Sequence, residues 1–161
     1  MLAAKITAGR ETVYDLEVAA EDRYEDALTL LVRGQWTGCT YLAGYVGELI
    51  VKAAVLRLSR VAQHAEALPE LKKARRAHAT APLRTLHEID AWMQVLLEIR
   101  RAQNQPLPKT VHTDVTTAAS VLAADWAVEL RYYGVEVDGP HARGVFDAAS
   151  TLRHHQPALW R

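Results

Sequence analysis

The chain has 161 residues, half of them hydrophobic, and its 19 Lys+Arg balance 19 Asp+Glu. This length predicts one domain with a substantial core. The apolar content excludes a disordered chain, and the zero net charge excludes a protein that coats nucleic acid or membrane through bulk charge. The single cysteine, Cys39, excludes an internal disulfide and a cysteine-based zinc site, and it fits a reducing, cytoplasmic compartment.

Residues 1–7 have no apolar core of signal-peptide length. The most apolar stretch, 41–58, contains Glu48, Lys52 and Arg57. A bilayer would have to hold those charges in hydrocarbon, so a buried helix is expected and no membrane span. The net zero is also uneven. Residues 11–26 carry seven acids and one base, whereas 57–84 carry seven bases and two acids. Such segments either pair with each other, within one chain or across a dimer, or leave Lys72, Lys73, Arg75 and Arg76 to contact phosphates. A phosphate patch gives salt-dependent affinity without reading a base sequence, and no aromatic residues interleave with this one to stack on bases.

In chain order, a turn or helix over 8–15 precedes a first long helix over 16–33. Its apolar positions Ala20, Tyr24, Ala27, Leu28, Leu31 and Val32 recur at helical spacing, and Gly34 ends it. A second helix follows at once, with Thr37 as its N-cap. Its apolar residues cover more than one face, which marks a central helix. Gly44 and Gly47 in its interior cost about 1 kcal/mol each relative to Ala, so they predict close approach of another helix. The short link makes these two helices an antiparallel hairpin. Pro69 starts a short helix through His78. A third long helix spans 83–103, and another runs from a cap at Thr113 or Asp114 to about Trp126. After an irregular stretch over 129–139, Asp138 and Pro140 open the last helix, expected to end near His155 before Pro157. The class is all-α: one domain, core about 16–155, folded as an antiparallel up-and-down bundle of four to five main helices.

The run Ala20-Glu21-Asp22-Arg23-Tyr24-Glu25-Asp26-Ala27-Leu28, then Gly34-Gln35-Trp36, then 41–53 with Tyr41-Leu42-Ala43-Gly44-Tyr45, Glu48 and Lys52-Ala53, resembles the start of a HEPN domain. Leu86-His87-Glu88-Ile89 is similar to a His-Asp-Leu segment of that family, with Glu88 in place of Asp. Trp126 through Leu130-Arg131-Tyr132 is similar to its Trp…Leu-Arg-Tyr segment. The resemblance implies a helical bundle that usually dimerises, a nucleotide- or RNA-related role, and frequently a toxin–antitoxin or phage-defence setting. It also implies a possible nucleotidyltransferase or antitoxin partner and no metal or other cofactor. Active members are metal-independent ribonucleases whose signature is Arg, four to six residues, then His, near the C-terminal part of the bundle. Histidine moves the proton and arginine stabilises the phosphorane charge.

The chain departs from that signature. Its one match is Arg57 to His64, at the end of the second helix, where the two align only if the helix continues. The expectation is therefore a member without the standard site, with a displaced Arg57/His64 ribonuclease as the alternative and a non-catalytic interaction module as a third reading. Glu48 and Lys52, spaced i,i+4 on an apolar helix, form a polar pair or face a ligand or dimer cleft. His87, Arg131 and Tyr132 are further cleft candidates. No histidine pair has metal-ligating helical spacing, so no metal site is expected.

Overall fold

The computed structural model describes residues 11–78, 87–131 and 136–161. These form α1 (Val13–Val32), α2 (Trp36–Leu58), α3 (Ala67–His78), α4 (Ile89–Ala102), α5 (Lys109–Asp125) and α6 (Gly139–Leu159), with a 3-10 turn at Val128–Arg131. No strand is present among the described residues, so the all-α class holds; the one isolated bridge joins Thr12 to Glu66.

α1 starts earlier than expected because Thr12 and Asp15 form a capping box. The Asp15 N–H donates to the Thr12 hydroxyl (3.2 Å) and the Thr12 N–H donates to the Asp15 carboxylate (2.9 Å). Hydrogen bonds from Thr12 hold the Asp15 carboxyl below its usual range. Residues 13–15 thus belong to α1 rather than to a separate turn, and residues 8–10 lie outside the described residues. Gly34 ends the helix with φ +70°, and the Gln35 and Gly34 N–H groups donate to the carbonyls of Leu30 (2.9 Å) and Leu31 (3.2 Å). This left-handed reversal strongly favours glycine.

The next helix starts at Trp36, with Gln35 in the N-cap position. The Thr37 hydroxyl is not that cap; it accepts from the Val137 N–H instead. α1 and α2 are antiparallel: Leu30 packs on Gly38 at one end, and Glu17 pairs with Arg57 at the other.

α2 touches every other described helix. Fifteen of its 23 residues are buried, Glu48 and Lys52 among them. By length and composition α2 passes for a membrane span, yet 72% of its most apolar window is buried inside the bundle. The two interior glycines explain how neighbours come so close. A Cβ on Gly44 would lie 2.1 Å from the Trp126 indole, and one on Gly47 would lie 2.3 Å from Leu122 Cδ1. The close approach expected of a helix is thus made by side chains at the end of α5. Trp126 is further fixed by its Nε1–H donating to the Tyr41 carbonyl (3.0 Å) and by edge-on contact with Tyr45. Cys39, on the same helix, has no exposed surface, and burial pushes its thiol up to about 11.

Other boundaries shift for local reasons. Of the third long helix, 83–86 lie outside the described residues, and α4 starts at Ile89 after His87 and Glu88. α5 starts at Lys109 directly after Pro108. Thr113 does not cap it, because its hydroxyl donates back to the Lys109 carbonyl inside the helix (3.0 Å). Asp114 meets His155 instead (3.1 Å). α6 passes through Pro157 to Leu159. Proline near a helix end removes one N–H of the last turn. Independently of the proline, carbonyls at and beyond the helix end are met by Arg100, whose Nη2 donates to Ala158 and to Arg161 (2.9 Å), while its Nη1 donates to the Gln105 carbonyl (2.9 Å). Burial pushes Arg100 below the usual guanidinium range.

On α1, Ala20 and Ala27 are buried and Tyr24 and Leu31 are half-buried, as helical spacing suggests. Leu28 and Val32 are exposed.

Gly44→Ala forces the Trp126 ring, pinned at both edge and face, to move. The expected loss is about 1–3 kcal/mol despite the better helix former. Gly144→Ala, whose Cβ meets nothing within 4 Å, is expected to gain about 0.4–1 kcal/mol. Urea denaturation of the two variants beside the parent checks both signs.

Candidate functional site

A charged constellation sits inside the otherwise apolar middle of the bundle. Glu48 and Lys52 lie one turn apart on α2, with 3% and 8% of their surface exposed. The Lys52 ammonium donates to Glu48 Oε1 and stands 5.8 Å from the centre of the Trp92 ring of α4. His87, at the entrance to α4, places Nδ1 3.0 Å from both oxygens of Glu48. Its side chain is 40% exposed, so the imidazole links a buried carboxylate to the surface.

Each element contributes for a local reason. α2 supplies the i,i+4 spacing that brings carboxylate and ammonium onto one face. The turn before α4 presents His87 over that face, and Ile89, Trp92 and Met93 bury the first turns of α4 beside it. The pair is stable there because each charge has a partner. An unpaired buried charge is far more costly than the pair.

Chemically, a carboxylate facing Nδ1 holds an imidazole in one orientation, and in the neutral ring it favours the tautomer whose acceptor nitrogen is Nε2. This orientation suits hydrogen bonding or proton exchange with a polar ligand. A small pocket of about 180 Å³ adjoins it, lined by His87, Glu88, Asp90, Trp126, Ala127 and Glu129 among others.

The remaining sequence candidates are dispersed. Arg57 lies in the last turn of α2. Its Nη2 donates to Glu17 Oε2 (2.8 Å), its Nε to Glu17 Oε1, and its guanidinium sits 4.5 Å from the Trp160 ring centre. The Glu17 hydrogen bonds raise its pKa further above the ordinary value. α2 ends at Leu58, and Arg60 turns the chain with φ +57°. His64 therefore lies beyond the helix, 6.3 Å from the Tyr14 ring, and the continuous helix that would align it with Arg57 does not exist.

Lys72, Lys73 and Arg76 are exposed on α3 and Arg75 is half-buried; Lys73 also approaches Glu70 (3.6 Å). Arg131 ends the 3-10 turn, and Tyr132 lies outside the described residues. Trp126, the first residue of the Trp…Leu-Arg-Tyr segment, is committed to packing on Gly44. Among the described residues no group of three or more His, Cys, Asp or Glu is placed to hold a metal ion.

Two α4 residues, Trp92 at the charged cluster and Arg100 at the far end of the helix, carried little distinguishing signal in the sequence. Trp92 is one more apolar residue of α4, yet its ring is what the Lys52 ammonium faces. Arg100 looks like any basic residue of a last turn, and only its place one turn after Leu96 on the apolar face hints at burial.

No family model, curated protein or solved structure matches the chain.

Removing Glu48 strands the Lys52 ammonium, and removing Lys52 leaves the buried Glu48 carboxylate with His87 alone. Glu48→Met and Lys52→Met are each expected to cost about 3–5 kcal/mol, and the double variant less than either single one. A double-mutant cycle by denaturant unfolding measures this directly; additive losses in the double variant would contradict the pairing.

Proposed function

We propose that the chain is a HEPN-like helical bundle with a nucleotide- or RNA-related role in a prokaryotic toxin–antitoxin or defence setting, acting as a homodimer and without ribonuclease chemistry through Arg57 and His64. The observation that carries this reading is the convergence of Glu48, Lys52 and His87. The resemblance singles out these three residues from two segments, Glu48 and Lys52 from one and His87 from another, and His87 and Glu48 stand 39 positions apart in the chain. Their meeting at one half-exposed imidazole is what a shared ligand site requires. The antiparallel pairing of α1 with α2 and the seat of Trp126 on Gly44 support the same arrangement.

The argument against catalysis at Arg57 is its commitment to Glu17 and Trp160, with His64 outside the helix. The exposed cations Lys72, Lys73 and Arg76 suit phosphate contacts that depend on salt and not on sequence. A second reading, an interaction module for a nucleotidyltransferase or antitoxin, draws support from the apolar residues on the outer face of α1.

Incubation of the purified chain with total RNA in EDTA, followed by binding of labelled single-stranded RNA and of nucleotides, separates these readings. The expected outcome is no cleavage, with binding that weakens as salt rises. The triple variant Lys72→Glu/Lys73→Glu/Arg76→Glu should lose at least about tenfold in RNA affinity, because each lost phosphate contact removes counterion release. Cleavage abolished by Arg57→Ala or His64→Ala would establish the ribonuclease instead. Absence of any RNA or nucleotide affinity would favour the interaction module.

A further inference from the structure

Helix α1 has two apolar faces. Val13, Leu16, Ala20 and Ala27 are buried against the bundle. On the opposite side lie four of the five large apolar residues exposed among the described residues: Tyr14 (47%), Val18 (39%), Leu28 (37%) and Val32 (79%). Scattered single apolar residues on a surface carry no message, but these are ordered. Tyr14, Val18, Glu21, Glu25, Leu28 and Val32 follow one another in steps of four, three, four, three and four. That is the alternation of the contact seam in a two-stranded coiled coil. The seam is about 27 Å long at 1.5 Å per residue. Its ends are apolar and its two central positions are glutamates.

The glutamates define the occupant. Glu25 is exposed and makes no ion pair within 4 Å among the described residues, although its charge reaches the Arg153 guanidinium, and exposed Asp22 flanks it. Glu21 gives Oε2 to Arg153 (2.7 Å), which leaves its Oε1 to accept from another donor. A second copy of this helix cannot satisfy these positions. In a parallel pair Glu21 would face Glu21 and Glu25 would face Glu25. In an antiparallel pair centred on the seam, Glu21 would face Glu25. Either arrangement desolvates like charges against each other, which is the means by which coiled coils reject a wrong partner.

We infer that the outer face of α1 is a docking seam for an amphipathic helix of another protein, one that carries Lys or Arg at its two central contact positions and apolar residues on either side. The apolar ends supply burial, and the central charges set register and partner choice. The seam is independent of any affinity for RNA. It also directs a homodimer of this chain to another face.

The test uses the full chain and two synthetic helical peptides of 20 residues. They are identical, with Leu or Val at the four outer seam positions, except for Lys or Glu at the two central ones. Fluorescence anisotropy at low salt should show the Lys peptide binding at least about tenfold more tightly than the Glu peptide, with the preference shrinking at high salt. Glu25→Lys should erase or reverse the preference. Val18→Asp/Leu28→Asp should abolish binding of the Lys peptide while the chain keeps its helical circular dichroism; Val32→Asp, at the most exposed seam position (79%), should weaken binding with little change in melting temperature. Equal affinity for the two peptides, no binding of either, or binding indifferent to Val18→Asp/Leu28→Asp would overturn the proposal. So would a sedimentation experiment in which Val18→Asp/Leu28→Asp converts a dimer to a monomer, because the seam would then belong to a second copy.

Discussion

The burial of α2 on every side is the constraint from which the rest of the molecule follows. A helix apolar around most of its circumference must be surrounded, and here each of the other described helices packs on it. Surrounding it needs room. Gly44 and Gly47 give up helix propensity and supply that room to Trp126 and Leu122. The Trp126 indole closes its hydrogen bond to the Tyr41 carbonyl on the same helix, so the end of α5 is held at one height along α2. The C-terminal end of α6 is held in a comparable way. Arg100 gathers its last carbonyls, and Trp160 donates to the Ile50 carbonyl of α2 (3.3 Å).

Charge inside such a core has to be partnered, and the partnerships fall into two kinds. Glu48, Lys52 and His87 form a largely sequestered cluster whose most exposed member is the imidazole. The arginines at the edge of α1 tie helices together: Arg57 to Glu17 across the hairpin and Arg153 to Glu21 from α6. Both also lie over aromatic rings, Trp160 and Tyr24. The acidic and basic segments that cancel in the net charge therefore meet physically at Glu17 and Arg57. Much of the remaining charge, Asp22 and Glu25 on one side and Lys72 and Arg76 on the other, stays on the surface.

The fold class, the hairpin of α1 and α2, the central place of α2 and the role of its glycines were legible because each leaves a periodic or conformational mark. A left-handed Gly34, an apolar circumference and small residues three apart all constrain geometry locally. Boundaries were less legible where a side chain had two possible partners. Thr113 can cap a helix or bond back into one, and only the position of Pro108 decides; Thr37 finds its partner 100 positions away. In the candidate site, the Glu48–Lys52 pair was readable from spacing on one helix. The arrival of His87 depends on packing between α2 and α4, which no local pattern encodes. Leu28 and Val32 recur at helical spacing yet face outward, because periodicity finds a stripe without saying which side of the helix faces the core.

The Glu48–Lys52 pair has one more consequence, which lies in the life of the chain before it is folded. The α1–α2 hairpin is built from neighbours in sequence, whereas the α6 residues that cover another side of α2 come 81 to 123 positions later. A growing chain therefore carries an apolar helix of membrane-spanning length, partly uncovered, until the last helix is made. A carboxylate and an ammonium at the middle of that helix each oppose transfer into hydrocarbon by about 2.5–3.5 kcal/mol on insertion scales. The same two side chains that need careful pairing in the finished bundle thus act as a brake on misinsertion and self-association while α2 waits for its neighbours.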